Sequence, residues 1–191
     1  IDWQLAGPEG LGGRTRALGI DQRDPDVILA GGVSGGVWKS TDGGDSWELK
    51  TDPNQNMSVT SLSQDPNNPD VWYYSSGEFS GNSASDRGNT AAYSGTGIYK
   101  STDNGDSWSV IPATSDQTGG FDSPFDYISK IEVSPSGSIF AAANAIGLYK
   151  STDGGDSFQL VKGEVNRHTW TDFDIDQQGN IIAVLSSEGF E

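Results

Sequence analysis

The stretch Gly36-Val-Trp-Lys-Ser-Thr-Asp-Gly-Gly-Asp-Ser-Trp47 returns twice, almost letter for letter. It recurs as Gly97-Ile-Tyr-Lys-Ser-Thr-Asp-Asn-Gly-Asp-Ser-Trp108 and as Gly147-Leu-Tyr-Lys-Ser-Thr-Asp-Gly-Gly-Asp-Ser-Phe158. Ser101 lies 61 positions after Ser40, and Ser151 lies 50 after Ser101. Spacings of this size mark a repeat architecture, in which each unit buries its faces against its neighbours. Each copy reads as a β-hairpin: two short β-prone runs around Thr-Asp-Gly-Gly-Asp turn chemistry. The turn Asp can accept hydrogen bonds from its own loop. Gly44, Gly105 and Gly155 supply backbone conformations closed to other residues. The closing Trp47, Trp108 or Phe158 packs the loop down.

Two more strands precede each hairpin. In the first unit, 14–21 and 27–33 flank a turn at 22–26. In the second, 59–64 and 71–76 flank 65–70, and in the third, 128–134 and 138–143 flank 135–137. A fourth unit begins at 171–176, turns at 177–180 and continues through 181–186. Phe173 and Ile175 alternate there with Asp172, Asp174 and Asp176, the period-2 pattern of a half-buried strand. The expected fold is all-β: a β-propeller fragment of four-stranded antiparallel blades. The blades fall at about 14–50, 59–111 and 127–161, with half a blade at about 169–187. Three and a half blades do not close a ring of 4–8, so the expected parent protein is longer.

Composition narrows the class. The chain has 191 residues, 11 Lys plus Arg against 27 Asp plus Glu, and a formal charge of −16. A surface this acidic repels nucleic acid and anionic membrane, which need basic residues to meet phosphates. There is no Cys, which removes thiolate catalysis, zinc–thiolate sites and disulfides together, and leans towards a bacterial source. One His, His168, excludes multi-His metal sites. No apolar run approaches the ~20 residues of a membrane span. The start Ile1-Asp2-Trp3 shows no signal-peptide pattern, and the expectation is either a processed N-terminus or a boundary cut within a longer chain.

The hairpins match the pattern Ser-x-Asp-x-Gly-x-Ser/Thr-Trp/Phe at Ser40, Asp42, Gly44, Ser46 and Trp47, at Ser101, Asp103, Gly105, Ser107 and Trp108, and at Ser151, Asp153, Gly155, Ser157 and Phe158. The chain therefore resembles the Asp-box (BNR) propellers: sialidases, xyloglucan-type endoglucanases, sortilin-type ectodomains and photosystem assembly factors. The opening Gly7-Pro8 with Gly12-Gly13-Arg14-Thr15-Arg16-Ala17 is most similar to secreted sortilin-like proteins of Bacteroidetes, many of which leave the cell by type IX secretion. The resemblance implies an extracellular or cell-surface location and a structural, non-catalytic role for the box residues. It also implies that the chain is part of a large surface or secretion-associated assembly.

Enzymatic motifs are not evident. A sialidase implies an arginine triad and a Phe/Tyr-Arg-Ile-Pro marker, which is absent; the arginines are Arg14, Arg16, Arg23, Arg87 and Arg167. A glycoside hydrolase needs a carboxylate pair across a cleft, and 27 acidic residues single out none. No cofactor is expected. Calcium is admissible on Asp-rich loops, although no Asp-x-Asp-x-Asp-Gly loop is present.

Topology places the binding face. The hairpin turns share one end of the blades with the first turns, so the loops between second and third strands share the other end with the blade-to-blade connections. The longest insertion, 78–95, falls at that second end. With the connection 112–126 it offers Glu78, Phe79, Asp86, Arg87, Tyr93 and Phe121 as ligand-binding residues. The segments 51–58 and 162–168 reach the same end as connections. The leading reading is a non-catalytic module binding a protein, peptide or glycan. The alternatives are a glycoside hydrolase with catalytic residues outside this chain, and a structural cargo module.

Overall fold

The computed structural model describes residues 14–79, 93–115, 123–168 and 170–186. Its strands are β1 (Thr15–Ile20), β2 (Ile28–Gly32), β3 (Gly36–Ser40), β4 (Glu48–Leu49), β5 (Ser61–Asp65), β6 (Asn68–Ser75), β7 (Ile98–Ser101), β8 (Ser109–Val110), β9 (Ile128–Val133), β10 (Ile139–Ala143), β11 (Ala145–Ser151), β12 (Gln159–His168), β13 (Trp170–Ile175) and β14 (Ile181–Ser186). They pair antiparallel into three sheets of order 1-2-3-4, 5-6-7-8 and 9-10-11-12 (read from the other edge, 12-11-10-9), with β13 and β14 as a fourth, two-stranded sheet. The described residues hold no α-helix, only a 3₁₀ turn at Pro112–Thr114.

Each gap between sheets has its own apolar filling, and strand alternation explains why. On β6, Trp72 and Tyr74 join Leu29, Val37 and Val59 against the first sheet. Val71 and Tyr73, pointing the other way, join Ile128, Ile131 and Ile139 against the third. On β10, Phe140 and Ala142 meet Phe173 of the fourth sheet, while Ala141 faces back to the second. A strand buried on both faces reads as a continuous apolar run, as Val71-Trp72-Tyr73-Tyr74 does. Tyr74 stacks on Tyr99 with ring centroids 4.5 Å apart, and Trp108 meets Tyr74 edge-on at 4.9 Å.

The first strands of successive sheets are joined by side-chain hydroxyls. Thr60 Oγ1 donates to the Ile128 carbonyl at 2.5 Å, Ser61 Oγ to that of Ile131 at 3.3 Å, and Ser129 Oγ to that of Thr171 at 2.5 Å. These bonds give carbonyls that no strand pairing reaches a partner inside the stack.

The three hairpins share one Ser–Asp hydrogen-bond pattern. In the first, Ser40 Oγ donates to Asp42 Oδ1 at 2.7 Å and accepts the Gly44 N–H at 2.8 Å. Asp42 Oδ1 also accepts the Ser46 N–H at 2.9 Å, and Oδ2 accepts the Ser46 hydroxyl at 2.5 Å. Asp103 and Asp153 repeat this pattern with Ser107 and Ser157. Trp47 Nε1 donates to the Gly44 carbonyl at 2.9 Å, folding the ring over the turn. One element departs from expectation: 162–168 is not a connection. It continues β12, which pairs as far as Ala145↔His168 after two register shifts.

Candidate functional site

The second end of the array carries a cavity of about 490 Å³ on the side of the first strands. All four sheets contribute to its wall: Arg16 from β1, Thr60 and Ser61 at β5, Ser129 and Lys130 from β9, Thr171 and Asp172 from β13. The turns Gly77-Glu78-Phe79 and Asn144 close it from the second-to-third strand connections.

Local chemistry fixes the loop base at this point. Glu78 and Tyr93 exchange both backbone bonds at 2.8 Å, so the insertion leaves and returns through one bridge. Ser76 Oγ donates to the Gly97 carbonyl at 2.6 Å and accepts the Thr96 N–H at 3.0 Å. Gly77 has φ +88°, and a Cβ there would lie 1.7 Å from the Asp126 carbonyl oxygen. Only glycine lets the two chains pass so closely.

The expected ligand residues separate into groups. Glu78 is buried, and the Arg14 guanidinium grips both its oxygens, one at 3.0 Å. Arg16 approaches the same carboxylate at 3.5 Å, makes no hydrogen bond among the described residues and remains 40% exposed. Phe79 lines the cavity and meets Tyr127 edge-to-face at 5.5 Å, while Tyr93 stands 42% exposed at the loop base. Asp86, Arg87 and Phe121 lie outside the described residues.

Sequence reasoning missed the floor. Asn144 and Thr171 are both buried, and the Asn144 Oδ1 accepts the Thr171 N–H at 3.4 Å. The Thr171 hydroxyl has no hydrogen-bond partner among the described residues. A buried, unpaired hydroxyl on a cavity wall costs stability unless a ligand or water meets it. Lys130 donates to the Phe173 carbonyl at 2.6 Å and to Asp174 at 3.0 Å, and lies 3.3 Å from Glu132. Burial works against its charge, but Asp174 and Glu132 outweigh that and raise its pKa. Burial pushes the Glu132 carboxyl up, with Lys130 opposing. The missed signal is positional: polar pairs (Thr60-Ser61, Ser129-Lys130, Thr171-Asp172) fall at the start of successive first strands. Among the described residues no group of three or more His, Cys, Asp or Glu gathers as a metal site.

No family model and no curated protein matches the chain. Solved structures do. An ancestral GH74 enzyme superimposes with a TM-score of 0.68 at 21% identity, over 97% of this chain and 23% of that one. The fold is a β-propeller. YCF48 bound to D1 peptide gives a TM-score of 0.58 at 18% identity, over 91% of this chain and 49% of its own. An auxiliary nutrient binding protein from Bacteroides thetaiotaomicron gives 0.61 at 11%, over 92% and 36%. The chain thus spans from 23% to 49% of the length of these similar chains. At such identities the likeness speaks for the fold, while function must be argued from the site.

Proposed function

We propose that this chain is a ligand-binding propeller module, non-catalytic in this segment, whose binding face is the end carrying the axial cavity and the 78–95 insertion. The observation that carries this reading is the cavity floor. Asn144 and Thr171 form a polar floor, Arg16 stays 40% exposed at the mouth although it pairs with Glu78 at 3.5 Å, and Phe79 supplies an apolar wall. A concave site with a few convergent polar groups is the usual form of a ligand pocket. The ligand is a protein, peptide or glycan segment. Peptide-bound YCF48 and the nutrient binding protein supply precedents on the same fold. We read the Ser-x-Asp-x-Gly hairpins as Asp-boxes of the sortilin-like kind, and the strongly acidic chain as extracellular or surface-displayed.

A hydrolase at this cavity is disfavoured, because among the described lining residues Arg14 holds both oxygens of Glu78 and Asp172 alone is an exposed carboxylate, whereas a glycosidase needs an acid and base pair. The test is calorimetric titration of the chain with a panel of oligosaccharides and extended peptides, with released reducing ends assayed in parallel. The expected result is saturable binding without release, weakened roughly tenfold in Arg16→Met or Thr171→Val, each removing one hydrogen-bonding group. Release of reducing ends, or binding that both variants leave intact, overturns the proposal.

A further inference from the structure

The hairpins of neighbouring sheets meet through equivalent positions at the two gaps, but with different partners. Between the first two sheets, Lys39 and Lys50 both reach Asp106. Their Nζ atoms lie 3.1 Å from Oδ2 and 3.0 Å from Oδ1, and Glu48 holds Lys50 from the other side at 2.9 Å. Between the second and third sheets the corresponding residues are Lys100, Ser109 and Ile111, facing Asp156. The register is the same: Lys50 N donates to the Val37 carbonyl, and Ile111 N to that of Ile98, both at 2.8 Å. Ile111 therefore occupies the stem position of Lys50, but its side chain stops on Gly155 and carries no ammonium.

The lysine that does repeat points elsewhere. Lys100 Nζ donates to the Gly154 carbonyl at 3.1 Å. Among the described residues Asp156 has neither an ion pair nor a side-chain hydrogen bond. Where the Lys50 ammonium would sit, there is instead a cavity of about 240 Å³, lined among others by Ser109, Ile111, Pro112 and Asp156.

We infer that this inter-blade groove binds a primary ammonium on an aliphatic stem, supplied by a lysine side chain of a protein partner. Asp156 receives the charge as Asp106 receives that of Lys50, the Ser109 hydroxyl stands where Glu48 does, and Ile111 with Pro112 flanks the methylenes. The resident Lys100 is no obstacle, since one carboxylate already serves two ammonium groups at the preceding gap. A formal charge of −16 draws cationic partners toward the surface. The groove lies among the hairpins, at the end away from the axial cavity, and does not depend on the function proposed for that cavity.

The test is an NMR titration of the ¹⁵N-labelled chain with the peptide acetyl-Gly-Lys-Gly-amide, its Nε-acetylated form and n-butylamine. A single contact of this kind is weak, on the order of millimolar. The unmodified peptide is expected to shift the amides of 107–111 and 154–156 saturably, and more tightly than butylamine. The acetylated peptide is expected to leave them unmoved. Asp156→Asn, a change at an exposed turn, is expected to abolish the shifts, and Ile111→Lys to block them by supplying the ammonium in cis. Equal response to the acetylated peptide, shifts persisting in Asp156→Asn, or no shifts at all overturn the site. Butylamine binding as tightly as the peptide overturns the assignment to a polypeptide partner.

Discussion

At the residue scale, the turn aspartates act as acceptors that organise a loop. The Ser46 hydroxyl and N–H, then the Ser40 hydroxyl, hold the Asp42 carboxyl down to about 2. Ser157 and Ser151 do the same for Asp153. Burial pushes Asp103 up, but Ser107 and Ser101 outweigh it and leave that carboxyl also at about 2. An unfolded Asp titrates near 3.9. A pKa depressed by folding contributes stability that is full above the unfolded value and is lost as pH falls through the folded one. The urea midpoint should therefore drop between about pH 4 and pH 2. Carboxyl carbons of these three residues should titrate near the lower limit, and inflections near pH 4 would dismiss the account. Backbone geometry makes a second prediction. Gly105 has φ +83°, and a Cβ there would lie 2.9 Å from Leu29 Cδ1, a side chain with no room to retreat. Gly105→Ala should cost about 1–3 kcal/mol in denaturant melts. Gly154 also has positive φ, but a Cβ there would meet only the end of the flexible Lys100 side chain, at 3.7 Å, and Asn104 holds the same turn position at φ 57° in the second hairpin. Gly154→Asn should stay within about 0.5 kcal/mol of the parent. Equal losses for the two would mean that turn strain, not the Leu29 contact, sets the cost.

At the scale of elements, the sheets are joined as much by hydroxyls as by apolar contact. Thr60 Oγ1 serves the Ile128 carbonyl and lies 2.9 Å from Ser75 Oγ, all of it buried. Thr60→Val keeps the shape and leaves the carbonyl unpaired in the gap, so a loss of about 1–3 kcal/mol is expected in thermal or urea unfolding. A neutral result would mean that water enters the gap and replaces the hydroxyl. Such links also mark the limit of what the sequence discloses. Hairpins are legible because turn chemistry is local: Pro135-Ser-Gly137 and 177–180 place β9–β10 and β13–β14 within a residue or so. The length of β12 is not legible, because its pairing with β11 passes through two register shifts around Gly147 and Gly163, and glycines there read as loop. The site divides in the same way. Loop 78–95 announces itself by length, and Phe79 does line the cavity. The Glu78–Arg14 pair spans 64 residues, and the Asn144–Thr171 floor spans 27. Neither separation leaves a mark in any local pattern; only alignment of the first strands against one another brings those positions into one ring.

For the whole molecule, the distribution of apolar surface matters more than its amount. Interior gaps are filled from both sides, but the outward faces of the first and last described sheets are not. Leu18 and Ile20 on β1 are 65% and 54% exposed, and Ile182 and Val184 on β14 are 76% and 62% exposed. Alternation requires this: on β14 those two side chains share a face with Asp172 and Asp174 of β13, while Phe173 and Ile175 point into the stack. The two bare faces differ from each other. A contact between them is heterologous, so it extends into a series instead of stopping at a symmetric pair. Opposing it is a formal charge of −16 on every copy. That repulsion is long-ranged at low salt, where the Debye length is about 30 Å, and short-ranged near 1 M, where it is about 3 Å. Burial of aliphatic side chains, by contrast, does not weaken as salt rises. Weight-average mass by sedimentation should therefore stay monomeric in about 10 mM salt and climb with protein concentration near 1 M. Ile182→Thr with Val184→Thr keeps β-branched residues in the strand but removes most of the apolar face, and should suppress the climb. Association that is strongest at low salt would place the contact between charged groups, and a chain monomeric under both conditions would mean that these faces do not meet.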